Sequence, residues 1–196
     1  GGNEYPWWKY YKRPEPDLED LKEIQRRSLA SEASAFMFET RRTVKFKSNS
    51  IEEVSVMGVS HDFKNVMSIN LEEGRYFTLL ESQSGRNVGM IGSDIAENLF
   101  AGLSPIGREI KVFGNKVEVI GILQKEGDDL FGNSSDKQVI LPVNLARKFI
   151  NLNEINTTIL VKARPNVSNE ELRDELVGVL RSVRKLKPRA EDDFAI

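Results

Sequence analysis

The chain contains no cysteine among its 196 residues. Disulfides, zinc–thiolate centres and thiol nucleophiles are therefore excluded. Histidine is almost as scarce. His61 is the only one, so no Ser-His-Asp triad can be built without it. Set alone beside a strand end, it reads as a capping or surface residue rather than a catalyst. No apolar run approaches the roughly 20 residues of a membrane helix, and no basic start followed by an apolar centre marks a secretion signal. The expectation is a soluble fragment of a longer protein, with Gly1-Gly2 a cloning remnant. An excess of one charge is lacking too. The formal net charge is -2, and the basic clusters (Arg26-Arg27, Arg41-Arg42, Arg184 to Lys187) are flanked by acids, so nothing argues for nucleic acid.

What is present is an ordinary folded balance, 39% hydrophobic and 30% charged. Tyr5 to Tyr11 is dense in aromatics, and two readings stand. It is an arm packed on the domain, or a membrane-interface belt in which Trp7 and Trp8 sit at headgroup level. Asp17 can N-cap a helix to Arg27, with Leu18, Leu21 and Ile24 on one face. Ala35 to Glu39, Arg42 to Lys47 and Glu53 to Ser60 read as strands, with a turn at Asn49-Ser50. His61 to Met67 reads as a helical turn. Val88 to Ile91 is a short strand, followed by a helix capped by Ser93 or Asp94 and running to Phe100. Glu109 to Phe113 and Lys116 to Leu123 form a hairpin around Gly114-Asn115. Val139 to Leu141 is a strand, and Pro142 opens a helix through Ile150. Thr157 to Lys162 is the last strand. Ser168 and Glu171 form a capping box for the final helix, whose inward face is Leu172, Leu176, Val179, Leu180 and Val183. This order gives an α+β fold with mixed sheets.

The search for chemistry returns no catalytic, cofactor or metal site. Gly85, Gly89 and Gly92 cluster, but their spacing is that of neither a P-loop nor a dinucleotide fingerprint, and they precede and punctuate a strand instead of following one. The acidic loop Asp128 to Asp136 lacks the alternating oxygen ligands of an EF-hand. Leu130 and Phe131 stand at its centre, and either they form a partner-facing tip or they fold back onto the core.

One ordered set of blocks is informative. Val88-Gly89-Met90-Ile91-Gly92, Ile95 to Phe100, Pro105-Ile106-Gly107-Arg108-Glu109-Ile110 and Val117 to Leu123 follow one another as they do in the MacB-like periplasmic core domain. Gly74-Arg75-Tyr76-Phe77, Val139-Ile140-Leu141-Pro142 and Asp192-Asp193-Phe194 add further matches. The chain thus resembles that domain of ABC-transporter permeases of the MacB/FtsX superfamily over most of its length after about residue 30. The aromatic arm does not align.

The resemblance implies a two-lobed periplasmic domain. An arm at 1–16 leads to a porter-like β-α-β lobe from 17–86 and 150–188, a smaller α/β lobe is inserted at 87–149, and the tail 189–196 leads to a membrane helix, with Phe194 near the membrane. It also implies the partners: a cytoplasmic ATPase acting through the full-length permease, a homodimer or heterodimer in the transporter, and a periplasmic adaptor or other protein. The chain itself is then no enzyme and carries no cofactor. Its part is mechanical, with the helices Asp17 to Arg27 and Glu170 to Leu186 as the transmitting elements. The branches of drug or peptide efflux, lipoprotein release and cell-wall hydrolase regulation stay open. So does the alternative of a stand-alone periplasmic binding module.

Overall fold

The computed structural model describes residues 7–10, 16–126 and 135–184, with side chains for 16–126 and 135–183. Leu130, Phe131 and Phe194 lie outside the described residues, as do the side chains of Trp7 and Trp8. The chain divides into two compact units.

Unit 1 comprises 1–38, 62–68 and 152–196. Its sheet has β9 (Thr157–Ala163) at the centre. Antiparallel to it on one side runs β1 (Trp7–Tyr10), and on the other the first half of β2 (Ser31–Phe46). The aromatic arm thus contributes an edge strand, registered from Trp7↔Lys162 to Tyr10↔Ile159. Two helices, α1 (Leu18–Arg27) and α6 (Asn169–Arg184), pack on each other. They bury Leu21 and Ile24 from α1, and Leu172, Leu176, Val179, Leu180 and Val183 from α6. The face read from helical spacing is buried throughout on α6, while on α1 Leu21 and Ile24 are buried and Leu18 is half-buried. The short α2 (Phe63–Val66) sits against β9.

Unit 2 comprises 39–61 and 69–151. Here the strand pairings form a closed ring. The second half of β2 turns into β3 (Asn49–Val59), which runs parallel to β8 (Gln138–Pro142). Then β8 pairs antiparallel with β5 (Val88–Ile91), β5 parallel with β7 (Asn115–Leu123), and β7 antiparallel with β6 (Glu109–Val112). The ring closes where β6 meets β2 at one register pair, Lys45↔Lys111. A small side strand, β4 (Leu71–Gly74), adds to β7. Closure leaves the six staves without a free edge. Their inward residues, including Val44, Val56, Ile91, Ile110, Val119 and Leu141, pack with Ile95, Leu99 and Phe100 of α4 (Ser93–Phe100). The Phe46 and Phe100 rings are 4.2 Å apart.

Several elements differ from the sequence reading. Ala35 to Glu39 and Arg42 to Lys47 fall in one strand, β2, because the exposed Arg41-Arg42-Thr43 stretch breaks the apolar pattern without breaking the strand. The turn into β3 is at Lys47-Ser48, with Lys47 at φ 52°, so Asn49 and Ser50 already belong to β3. Neither Ser93 nor Asp94 caps α4. Gly92 does, because the backbones of Ser135 and Asp136 lie where a side chain would stand: a Cβ there would be 2.2 Å from Asp136 O. The helix opened by Pro142 ends at Ala146 (α5, Val143–Ala146), after which Lys148 N and Phe149 N donate three residues back in tight turns. One helix has no buried apolar face: α3 (Leu79–Ser84), whose two leucines are exposed. The sequence division grouped 39–86 with the chain ends. In the structure 39–61 and 69–86 belong to the compact unit of the inserted stretch, since β3 pairs with β8 and β4 with β7.

Candidate functional site

The polar groups of unit 1 concentrate where α1 gives way to β2. Asp17 and Asp20 start α1 with a reciprocal capping box. Asp20 N donates to Asp17 at 2.8 Å, and Asp17 N donates to Asp20 at 3.0 Å. In the last turn Glu23 holds Arg26 at 2.7 Å and Arg27 at 2.8 Å. The Arg26 hydrogen bond draws the Glu23 carboxyl below its usual range. Basic residues there also suit the helix dipole.

At Ser28 the backbone turns extended, and Glu175 of α6 grips the corner. Its carboxylate accepts from Leu29 N at 2.9 Å, from Ala30 N at 3.1 Å and from Ser28 Oγ. Arg164 completes the grip from the other side, donating Nε to Leu29 O at 2.8 Å and its backbone N to Ala30 O at 2.8 Å. Arg27 Nη1 reaches Ser182 Oγ on α6 at 2.9 Å. The corner is therefore tied to α6 through charge-assisted bonds, which are the stronger kind. Leu29, at its apex, is 81% exposed.

Beside this corner opens a cavity of about 580 Å³. Its walls include Gln25, Glu32, Asp62, Asn65, Lys162 and Arg164. Lys162 pairs with Glu32 at 3.1 Å. Gln25 Nε2 donates to Asp62 at 3.1 Å, and Asn65 Nδ2 donates to Asp62 at 3.0 Å. Both charge signs and amides face one space, and they are largely paired with one another. No three His, Asp or Glu side chains cluster as metal ligands among the described residues.

His61, in unit 2, has its ring edge-on to Tyr76 at 5.7 Å and to Phe77 at 6.2 Å, and its carbonyl accepts from Tyr76 OH at 3.0 Å. Reading the sequence missed the Glu175 grip, because a glutamate on an amphipathic helix carries no mark of its distant partner. It also missed Arg75 and Glu81. Thr78 and Glu81 form the capping box of α3, and Arg75 grips Glu81 with two bonds at 2.7 and 3.0 Å. Those bonds and the Thr78 N–H hold the Glu81 carboxyl down to about 2 against the cost of its burial. The Thr78-x-x-Glu81 spacing was the available signal.

Set against known proteins, residues 3–179 match the model of the MacB-like periplasmic core domain. An uncharacterized ABC transporter permease of Bacillus subtilis, YknZ, is 29% identical over 118 residues, covering 60% of this chain and 29% of that protein. A macrolide export ATP-binding/permease protein, MacB, of Neisseria meningitidis is 24% identical over 165 residues, covering 84% of this chain and 25% of that protein. The crystal structure of the extracellular domain of YknZ, a noncanonic ABC-type transporter from Gram-positive bacteria, superposes with a TM-score of 0.77 at 18% identity. It covers 97% of this chain and 100% of that one. The fold is shared at full domain length, while the chain spans less than a third of these curated relatives.

Proposed function

The chain belongs to the family of MacB-like periplasmic core domains, and from that premise we propose that it is the extracytoplasmic working part of an ABC-transporter permease, driven by ATP hydrolysis on the cytoplasmic side. The domain passes motion of the membrane segments to whatever it grips outside the membrane. One observation carries this reading. The two described helices nearest the chain's flanks, α1 and α6, fold into the same unit; Arg27 bonds α1 to α6, and Glu175 of α6 bonds the corner that directly follows α1. A displacement of either flank is then delivered to one rigid pair, as transmission requires.

The relatives named for macrolide and pyoverdine export make outward movement of a small molecule the leading form of that work. The dimeric state and a periplasmic adaptor belong to the same proposal. The test is to purify the full-length gene product from its native membrane. Membrane segments on both sides of this domain and a co-purifying or fused ATPase are expected. A product without flanking membrane segments would sink the reading and leave a stand-alone binding module.

A further inference from the structure

We propose that a ladder of lysines across β2, β6 and β7 is a docking surface for an extended acidic segment of an extracytoplasmic partner protein. Lys45 of β2 is registered with Lys111 of β6, and Lys111 is registered with Lys116 of β7. Three like charges thus stand directly across from one another on neighbouring strands, all exposed. Opposed like charges in a sheet weaken it. Lys116 makes a loose ion pair with Glu109 at 4.0 Å, and both are largely exposed. Lys45 and Lys111 have no ion pair among the described residues. In a chain of formal net charge -2, this stripe is a local positive cluster, bordered on its β6–β7 side by the registered acids Glu109 and Glu118.

Geometry narrows the ligand. Cross-strand neighbours lie about 5 Å apart, so the ladder is roughly 10 Å wide. Side chains on one face of an extended peptide recur about every 7 Å. Two or three acids at alternate positions therefore cover the ladder. Next to it lies a cavity of about 480 Å³, lined by Arg42, Thr43, Lys45, Lys111, Phe113 and Gly114. The Arg42 guanidinium stands over the Phe113 ring at 5.5 Å, which gives an intervening apolar side chain a seat.

The probe is a fluorescein-labelled peptide of alternating Asp and Ala with one central Phe, titrated with the whole chain by anisotropy. Binding is expected, and it is lost when Asn replaces Asp. Lys45→Gln with Lys111→Gln weakens it by roughly tenfold, at about threefold for each close charge removed. Arg173→Gln, which removes an exposed cation from α6, leaves it unchanged. The double variant also melts no lower than the parent, since it removes a repulsion. No peptide binding, or an equal loss in Arg173→Gln, overturns the proposal. So does binding to phosphatidylglycerol vesicles or polyphosphate, in place of the peptide, that the double variant abolishes, because the ladder then serves a phosphate headgroup or anion.

Discussion

At the scale of single residues, the sharpest prediction concerns Glu81. Its carboxyl is held near pH 2 in the folded chain, chiefly by the Arg75 hydrogen bonds. A depressed acid contributes stability above its unfolded value, near 4.5, and that contribution disappears as pH falls toward 2. Arg75 is half exposed, so solvent screening trims the contribution to about 1–2 kcal/mol. Glu81→Gln is expected to lose about that much at pH 7, and the gap from the parent should close by about pH 2. Urea unfolding of both proteins across that range checks it, and a gap independent of pH would refute the assignment.

A second residue-scale prediction follows for Glu175. In Glu175→Ala the amides of Leu29 and Ala30 lose their acceptor, at a cost of about 1–2 kcal/mol. Their hydrogen exchange is expected to accelerate while exchange within β9 does not change. Neither glutamate was visible beforehand. Glu81 had at least a capping spacing, whereas Glu175 acquires its role only from a chain segment almost 150 positions away.

Elements were legible where burial and local periodicity agree, and were misread where they part. The inward face of α6 was fully readable because each apolar residue on it is buried. In α3 the polarity is reversed: Leu79 and Leu80 are 54% and 72% exposed, while Ser82 is buried. Periodicity finds no inward apolar stripe in such a helix. It is held instead by polar ties, Asn144 Nδ2 to Ser82 O at 2.9 Å and Lys148 Nζ to Gly85 O at 2.9 Å.

The β6–β7 hairpin was found one residue late. Its two central residues are Phe113 and Gly114, with φ of 56° and 73°. Asn115 is the first residue of β7, and its side chain braces the turn by donating to Phe113 O at 2.9 Å. A bulky aromatic at positive φ is a position that residue preferences do not flag.

Two glycines make a paired test at this scale. Gly178→Ala in the exposed interior of α6 meets no neighbouring atom and is expected to add about 0.5–1 kcal/mol of stability. Gly92→Ala drives a methyl into the Ser135–Asp136 backbone, and it is expected to cost about 2 kcal/mol or more. Thermal melts of the two variants should move in opposite directions.

For the whole molecule, the α+β class and the family were readable from the ordered blocks between Val88 and Pro142. Those blocks are staves, or the helix between staves, of the ring in unit 2. The glycines that punctuate them answer to close packing and tight turns, not to phosphate. The ring itself was not readable. Closure depends on β2 reaching β6, and neither strand carries a mark of the other.

That closure has a consequence for how the ring breathes. Four of its six joints are registered over two to five residue pairs, a fifth is the β2–β3 hairpin, and the sixth is one pair of lysines that repel. The sixth joins segments far apart in the chain, so it is entropically dear to form and poorly rewarded. It should be the last joint to seal during folding and the first to part in the native state. Backbone amides of β6 are accordingly expected to exchange faster than those of the central stave β7. A ring built this way has a clasp, and the clasp is positively charged.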